Sequence, residues 1–250
     1  MKIRGLTFDL WDTLVHDDSD EVRRNVQGLR SKYEERRHLL WEHLNTESPL
    51  EKETVWTAYD AVDAAFNKVW KQHHITWPVE ERLDVLLKAL GRKRPESWKR
   101  LVRETATMEV EVPPDLIEGC GEVLANLSKH FQLAVVSDAI VTPGAELRRL
   151  LENHGIALHF SAFAFSDEVG HSKPHPDMFE TALDQLGLAP EEAIHIGDRD
   201  HNDIKGAQAM GMKAILFTAT RDADASTTSA EAQCASFSEL PGVISRLMDS

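Results

Sequence analysis

The sequence predicts a doubly wound α/β fold, a parallel sheet covered by helices on both faces, with an all-helical insertion directly after its first strand. Three observations carry this. After Pro113-Pro114, short unalternating apolar runs recur between amphipathic segments, the pattern of strands buried on both faces of a parallel sheet. Between residues 15 and 112, apolar residues step by threes and fours with no strand pattern among them. The 250 residues, 42% of them hydrophobic, suffice for a core and a smaller accessory domain.

The elements follow in order. Residues 2–9, KIRGLTFD, read as a strand ending in an acid. From Glu21 to Leu44 the chain is charged and rich in helix formers. Val55, Tyr59, Val62, Phe66 and Val69 mark one face of a helix, and Val79, Leu83, Leu86, Leu87 and Leu90 mark another. Trp98, Leu101, Val102 and Met108 predict a further helix after Pro95. Five tryptophans lie in this stretch (Trp41, Trp56, Trp70, Trp77 and Trp98). They are expected to form its core, with one or two left to line a cleft. Pro113-Pro114 stops the helical pattern.

Leu116 to His130 then reads as a helix and Gln132 to Val136 as a buried strand. Glu146 to Asn153 is helical, ended by Gly155, and Ala162 to Phe165 is a short strand. Phe179 to Leu186 is a helix followed by Gly187, Ala193 to Ile196 a strand, Ile204 to Met210 a helix and Ala214 to Phe217 a strand. Residues 219–232 read as a mobile loop, and Leu240 to Met248 as a closing helix. The expected division is a core of residues 1–14 and 113–250 around a helical domain of residues 15–112.

Charge and cysteine content narrow the function. A net charge of −14 makes nucleic acid and anionic membranes poor partners. No apolar run approaches the roughly 18 residues of a membrane span, and the first residues carry no apolar signal core. Cys120 and Cys234 lie far apart and outside any CxxC pair, which fits a reducing cytoplasm.

In open parallel sheets, ligands bind beyond the carboxyl ends of the strands. Four segments fall there. They are Asp9 in Phe8-Asp9-Leu10-Trp11-Asp12-Thr13-Leu14, Ser137-Asp138, Lys173 in Ser172-Lys173-Pro174-His175-Pro176, and Gly197-Asp198-Arg199-Asp200-His201-Asn202-Asp203. Together they supply a carboxylate nucleophile, a hydroxyl, an ammonium and acids able to bind a hard cation. His171, His175, His195 and His201 sit in or beside these segments but match no zinc spacing. His195 reads as a buried strand residue and the others as loop residues.

Four such segments in this order resemble the haloacid dehalogenase superfamily. The resemblance implies a Rossmann-like core, a helical cap after the first strand, and hydrolysis of small phosphorylated molecules by a monomer or homodimer. It implies that Asp9 is the nucleophile, that Ser137, Asp138 and Lys173 hold the phosphoryl group, and that Mg²⁺ sits on Asp9, Asp198, Asp203 and the carbonyl of Trp11. At one place the chain departs from the pattern. Two residues after the nucleophile the family's phosphatases carry an acid that moves the proton. Here that residue is Trp11, which cannot do so. Three readings stay open. Asp12, Asp138 or a cap residue supplies the proton; the substrate has a good leaving group; or the chain binds a phosphorylated ligand with little turnover. An aromatic residue at this position is also similar to members that displace halide, although those lack the acidic pair Asp198 and Asp203.

Overall fold

The structure, a computed structural model, describes residues 2–249. Six parallel strands form one sheet in the order β3-β2-β1-β4-β5-β6. They are β1 (Gly5–Phe8), β2 (Gln132–Ser137), β3 (Ala162–Phe165), β4 (Ala193–Gly197), β5 (Lys213–Phe217) and β6 (Ala232–Cys234). Chain order reverses on either side of β1, so a crevice opens at the carboxyl ends of β1, β2 and β4.

Both sheet faces are covered, which explains why the strands lack alternation. Phe8, Val135, Ile196 and Phe217 pack under Leu124 of α7 (Cys120–Leu127), Leu147 of α8 (Gly144–Asn153) and Ile244 of α12 (Leu240–Met248). On the other face Ala134, Val136, Ala164 and Leu216 meet Met178 and Phe179 of α10 (Pro176–Leu186) and Ala207 of α11 (Lys205–Ala209). A short α9 (Ser166–Val169) follows β3, and a π-helical turn, Asp200–Ile204, leads into α11. The expected doubly wound core is therefore present.

Between β1 and α7 lie six helices. These are α1 (Ser19–Val26), α2 (Lys32–Asn45), α3 (Lys52–His73), α4 (Val79–Ala89), α5 (Trp98–Ala106) and α6 (Met108–Glu111). They have an apolar cluster of their own, with Leu40, Val55, Tyr59, Leu83, Trp98 and Leu101 at its centre. The stretch that reads as one helix from Glu21 to Leu44 is two helices. Gly28 takes a left-handed φ of 71° between them, and Ser31 starts α2 anew by accepting from the Glu34 N–H at 3.2 Å. The helix expected from Leu116 is shorter, starting after Gly119 at φ 78°.

A further difference is β6, an unexpected strand that starts at the last residue of the segment expected to be a loop. It has three residues, Ala-Gln-Cys, at the sheet edge, and so little apolar pattern that only its pairing with β5 reveals it. Residues 220–229 are tied to the core by Thr220 on the Asp12 carbonyl, Arg221 on the Asp198 carbonyl and Thr228 on Asp200. Both cysteines are buried and unpaired. Among the described residues no helix is long and apolar enough to cross a membrane.

Candidate active site

Asp9, Ser137, Asp138 and Asp198 stand where strands end, whereas Lys173 follows α9 and Asp203 lies in the turn after β4. The Asp9 N–H donates to the Ile196 carbonyl at 2.9 Å, extending the β1–β4 ladder by one residue and aiming the side chain over the sheet edge. Ser137 ends β2, and Asp138 follows it. Gly197 ends β4 directly before Asp198. A Cβ on Gly197 would sit 2.3 Å from Cγ of Asp203, so only glycine lets the Asp203 carboxylate swing in against the strand. Asp203 is held there by the Arg199 N–H at 2.9 Å.

Lys173 ties the parts together. Its Nζ lies 2.5 Å from Asp9 Oδ1 and 2.6 Å from Asp203 Oδ1, and its own N–H donates to Asp138 Oδ1 at 2.9 Å. All four side chains are buried. Behind them runs a polar chain that sequence reading placed only as strand lining. His195 lies 3.2 Å from Asp203 Oδ1 through Nε2, and 2.8 Å from the Thr7 hydroxyl through Nδ1. An ionised Asp203 only accepts, so His195 donates from Nε2 and accepts the hydrogen bond of the Thr7 hydroxyl at Nδ1.

The electrostatics follow from one buried ammonium among several buried acids. Burial pushes Asp9 well above the ordinary aspartate range; Lys173 opposes this, while Asp203 and Asp198 add to it. Asp198 is pushed up to about 7, chiefly by burial and then by Asp203. Asp203 is held below its ordinary value despite burial, because Lys173 and His195 both favour its charge. Burial works against the Lys173 charge, but Asp203 and Asp9 outweigh it and raise its pKa.

Asp9, Asp198 and Asp203 each present a carboxylate oxygen within 4.8 Å of the others. Both oxygens of Asp198 are buried without a hydrogen-bond donor. Its nearest cations, Arg199 Nε at 3.6 Å and Arg221 at 3.8 Å, stand beyond hydrogen-bond reach. A buried carboxylate without donors is costly, and a hard divalent cation satisfies it. Among the described residues nothing donates to the Trp11 carbonyl either. The residues present therefore fit the implied Mg²⁺.

One expected outcome concerns metal-free protein. Asp9 and Asp198 bind protons more tightly in the folded chain than in the unfolded one. The contribution of these two groups to stability without metal therefore falls as pH rises from the ordinary aspartate range through about 7. Millimolar Mg²⁺ reverses this loss, by about 2.7 kcal/mol when it stands at 100 times its Kd. Thermal melting between pH 4 and 8 with Mg²⁺ or chelator measures both effects. A melting temperature indifferent to Mg²⁺ at pH 8 counts against the metal site.

A cavity of about 310 Å³ opens above these groups. Asp9, Trp11, Asp138, Lys173 and Asp203 line its core side, with Arg199 and Asn202. Ser137 lies deeper, wholly buried, with its hydroxyl 3.4 Å from the Asp138 carbonyl. Trp11 is fixed by its indole N–H on the Asp138 carbonyl at 3.2 Å. Asp12, at φ 57°, turns its carboxylate to the Asp17 N–H and does not line the cavity. Asp138 does, and burial pushes it up to about 6. The insertion supplies Asp17, Asp18, Lys32, Arg36, Trp70 and Glu109. No motif marks these residues. The one signal was the expectation that a tryptophan of this stretch lines a cleft, and Trp70 is that residue.

Comparison with known proteins gives the family and the fold. Over 223 residues the chain is 28% identical to phosphoglycolate phosphatase of Escherichia coli O157:H7, covering 86% of this chain and 81% of that one. A shorter stretch of 68 residues is 44% identical to phosphoserine phosphatase of Thermus thermophilus, 27% of either chain. The fold superposes on 2-haloacid dehalogenase from Pseudomonas syringae pv. Tomato DC3000 with a TM-score of 0.68, at 24% identity over 98% of this chain and 99% of that one. Residues 51–217 match the profile of haloacid dehalogenase-like hydrolases. With its strand-end acids, buried lysine and doubly wound sheet, the chain belongs to the haloacid dehalogenase-like hydrolase family.

Proposed function

We propose that this hydrolase is a Mg²⁺-dependent phosphatase of small phosphorylated metabolites, with Asp9 as its covalent nucleophile. The observation that carries this reading is Asp198, buried beside Asp9 with neither oxygen hydrogen-bonded. Halide displacement by a carboxylate needs no cation and gives such a residue no purpose. Release of phosphate from an aryl phosphate with and without Mg²⁺, beside halide release from a 2-haloacid, tests the choice. Metal-independent halide release without phosphate release rejects it. A cytoplasmic location is part of the proposal, supported by two free buried cysteines.

Asp9, Asp198, Asp203 and the Trp11 carbonyl would hold Mg²⁺, whose positive charge would keep Asp9 ionised and offset the charge of the phosphoryl oxygens. The Asp9 carboxylate attacks phosphorus, and the bond to the leaving oxygen breaks. Lys173, already 2.5 Å from Asp9, holds one phosphoryl oxygen, and the Asp138 N–H holds another, which the Ser137 hydroxyl joins by turning from the Asp138 carbonyl that it now faces at 3.4 Å. Water then attacks the aspartyl-phosphate, freeing phosphate and Asp9.

Asp138 is the proposed proton carrier in place of the acid missing at Trp11. It faces the cavity, and a pKa of about 6 lets it give a proton and take one back near neutrality. Asp138→Asn is expected to slow alkyl phosphates by about 10²-fold and aryl phosphates far less, because aryl oxides leave without a proton. Trp11→Asp is expected to raise alkyl phosphate turnover selectively, by up to about 10²-fold. Steady-state rates on a series of esters of graded leaving-group pKa check both. Equal losses across the series in Asp138→Asn exclude it as the acid.

Residues 15–112 are proposed to act as a cap that closes over the site and keeps water from the acyl phosphate. Support comes from the separate apolar cluster of α2–α5 and from the wall it gives the cavity. Limited proteolysis is expected to nick near residues 15–18 and 112–115, with protection by Mg²⁺ and a phosphate analogue. Cleavage that ignores those ligands removes the moving cap.

A further inference from the structure

The insertion side of the cavity carries a cation that the proposed chemistry leaves without work. Lys32 and Arg36 are one turn apart on α2 and share a face. Lys32 is fully engaged, with Asp18 at 3.0 Å, Asp20 at 2.8 Å and Glu109 at 3.2 Å from its Nζ. Arg37 turns the other way. It bonds the Tyr33 carbonyl, Asp60 and Asp63, and its guanidinium lies 3.4 Å over the Tyr33 ring.

Arg36 differs from both. Among the described residues it makes no hydrogen bond, and its one ion pair is Glu109 at 3.6 Å. That same Glu109 oxygen also serves Lys32, and the other accepts from Thr142. Arg36 Nε is buried without an acceptor, and so is the indole Nε1 of Trp70, another residue lining this cavity. Two side chains with unpartnered donors thus line a cavity whose opposite side holds Asp9 and Lys173. Unmet donors of this kind are costly unless something else brings the acceptor.

We infer that Arg36, assisted by Trp70, recognises a carboxylate on the leaving group, so that the substrates are small phosphorylated carboxylic acids. The inference rests on the phosphatase reading above. A guanidinium offers two parallel N–H groups that match a planar carboxylate. Glu109, Asp17 and Asp18 stand on the same side, so a singly charged group is better tolerated there than a second, dianionic phosphate. The cavity of about 310 Å³ restricts the acid to a few carbon atoms beyond the phosphoryl group.

The test compares a two- or three-carbon phosphorylated hydroxy acid with its own methyl ester, which keeps the shape and removes the charge. An aryl phosphate serves as the control for phosphatase chemistry. Wild type is expected to favour the acid over the ester by about 10²-fold in kcat/KM, mostly through KM. Arg36→Gln collapses that ratio towards one, Arg36→Lys restores part of it, and Trp70→Phe lowers it less. Melting curves check that the variants fold. A wild type that hydrolyses the aryl phosphate but treats acid and ester alike overturns the inference while sparing the phosphatase reading. An Arg36→Gln variant that loses equally on both substrates also overturns it, since that marks a structural role. Absence of aryl phosphate turnover by wild type sinks the phosphatase reading and this inference together.

Discussion

Asp9→Asn is expected to lower turnover of every substrate by more than about 10³-fold and to raise the melting temperature of the metal-free protein. The two effects have one cause. Asp9 is buried beside Asp198 and Asp203, and its charge is disfavoured in the fold despite Lys173. Asparagine keeps the shape and can still accept a hydrogen bond from Lys173, but it carries no charge to bury and no oxygen basic enough to attack phosphorus. The gain in stability grows with pH over the window in which wild-type Asp9 must ionise, and it vanishes in acid where Asp9 is already protonated. Steady-state rates and melting curves across pH measure both. A variant that loses activity because it unfolds contradicts the account.

Lys173→Met is expected to lose turnover as completely but to destabilise the fold, by about 3–5 kcal/mol. Lys173 is buried, and its Nζ is held between Asp9 and Asp203. Removing it leaves two buried carboxylates without their shared counter-charge. Asp203, which Lys173 holds below its ordinary pKa, then titrates upward. Its contribution to stability, present above the unfolded-state value in wild type and lost as pH falls, shrinks in the variant. Denaturant unfolding near pH 7 gives the magnitude, and the double variant Asp9→Asn/Lys173→Met is expected to recover part of the loss. Full additivity of the two changes would deny the coupling.

The opposite stability signs of these substitutions bear on what the sequence could disclose. Asp9, Asp138 and Asp198 were legible because each follows an apolar strand, and the carboxyl end of a parallel strand is a position that periodicity can locate. Lys173 and Asp203, set off from their strands by α9 and a turn, were legible only from the order of the four segments and the family they resemble. The insertion's long helices were legible from threes and fours of apolar residues. What escaped was whatever depends on a neighbour far along the chain. Thr7 and His195 are register partners across the β1–β4 ladder, and nothing local to either residue signals the chain to Asp203. Arg36 and Arg37 are identical in type and adjacent in sequence, yet Arg37 is hydrogen-bonded into the insertion's core, while Arg36 borders the cavity with an ion pair to Glu109 and no hydrogen bond among the described residues. Only packing distinguishes them. The break between α1 and α2 rests on Gly28 and the Ser31 cap, signals that a dense run of charged helix formers overshadows.

The account stands most directly on a phosphoryl group bound covalently to Asp9. Protein mixed with an aryl phosphate and Mg²⁺, quenched in acid within milliseconds and digested, is predicted to yield the peptide bearing Asp9 with one phosphoryl adduct. Chelator is predicted to abolish that adduct, and Asp9→Asn to lack it. Steady phosphate release from a protein whose Asp9 peptide remains unmodified at every quench time, in Asp138→Asn as well as in wild type, would contradict the covalent mechanism.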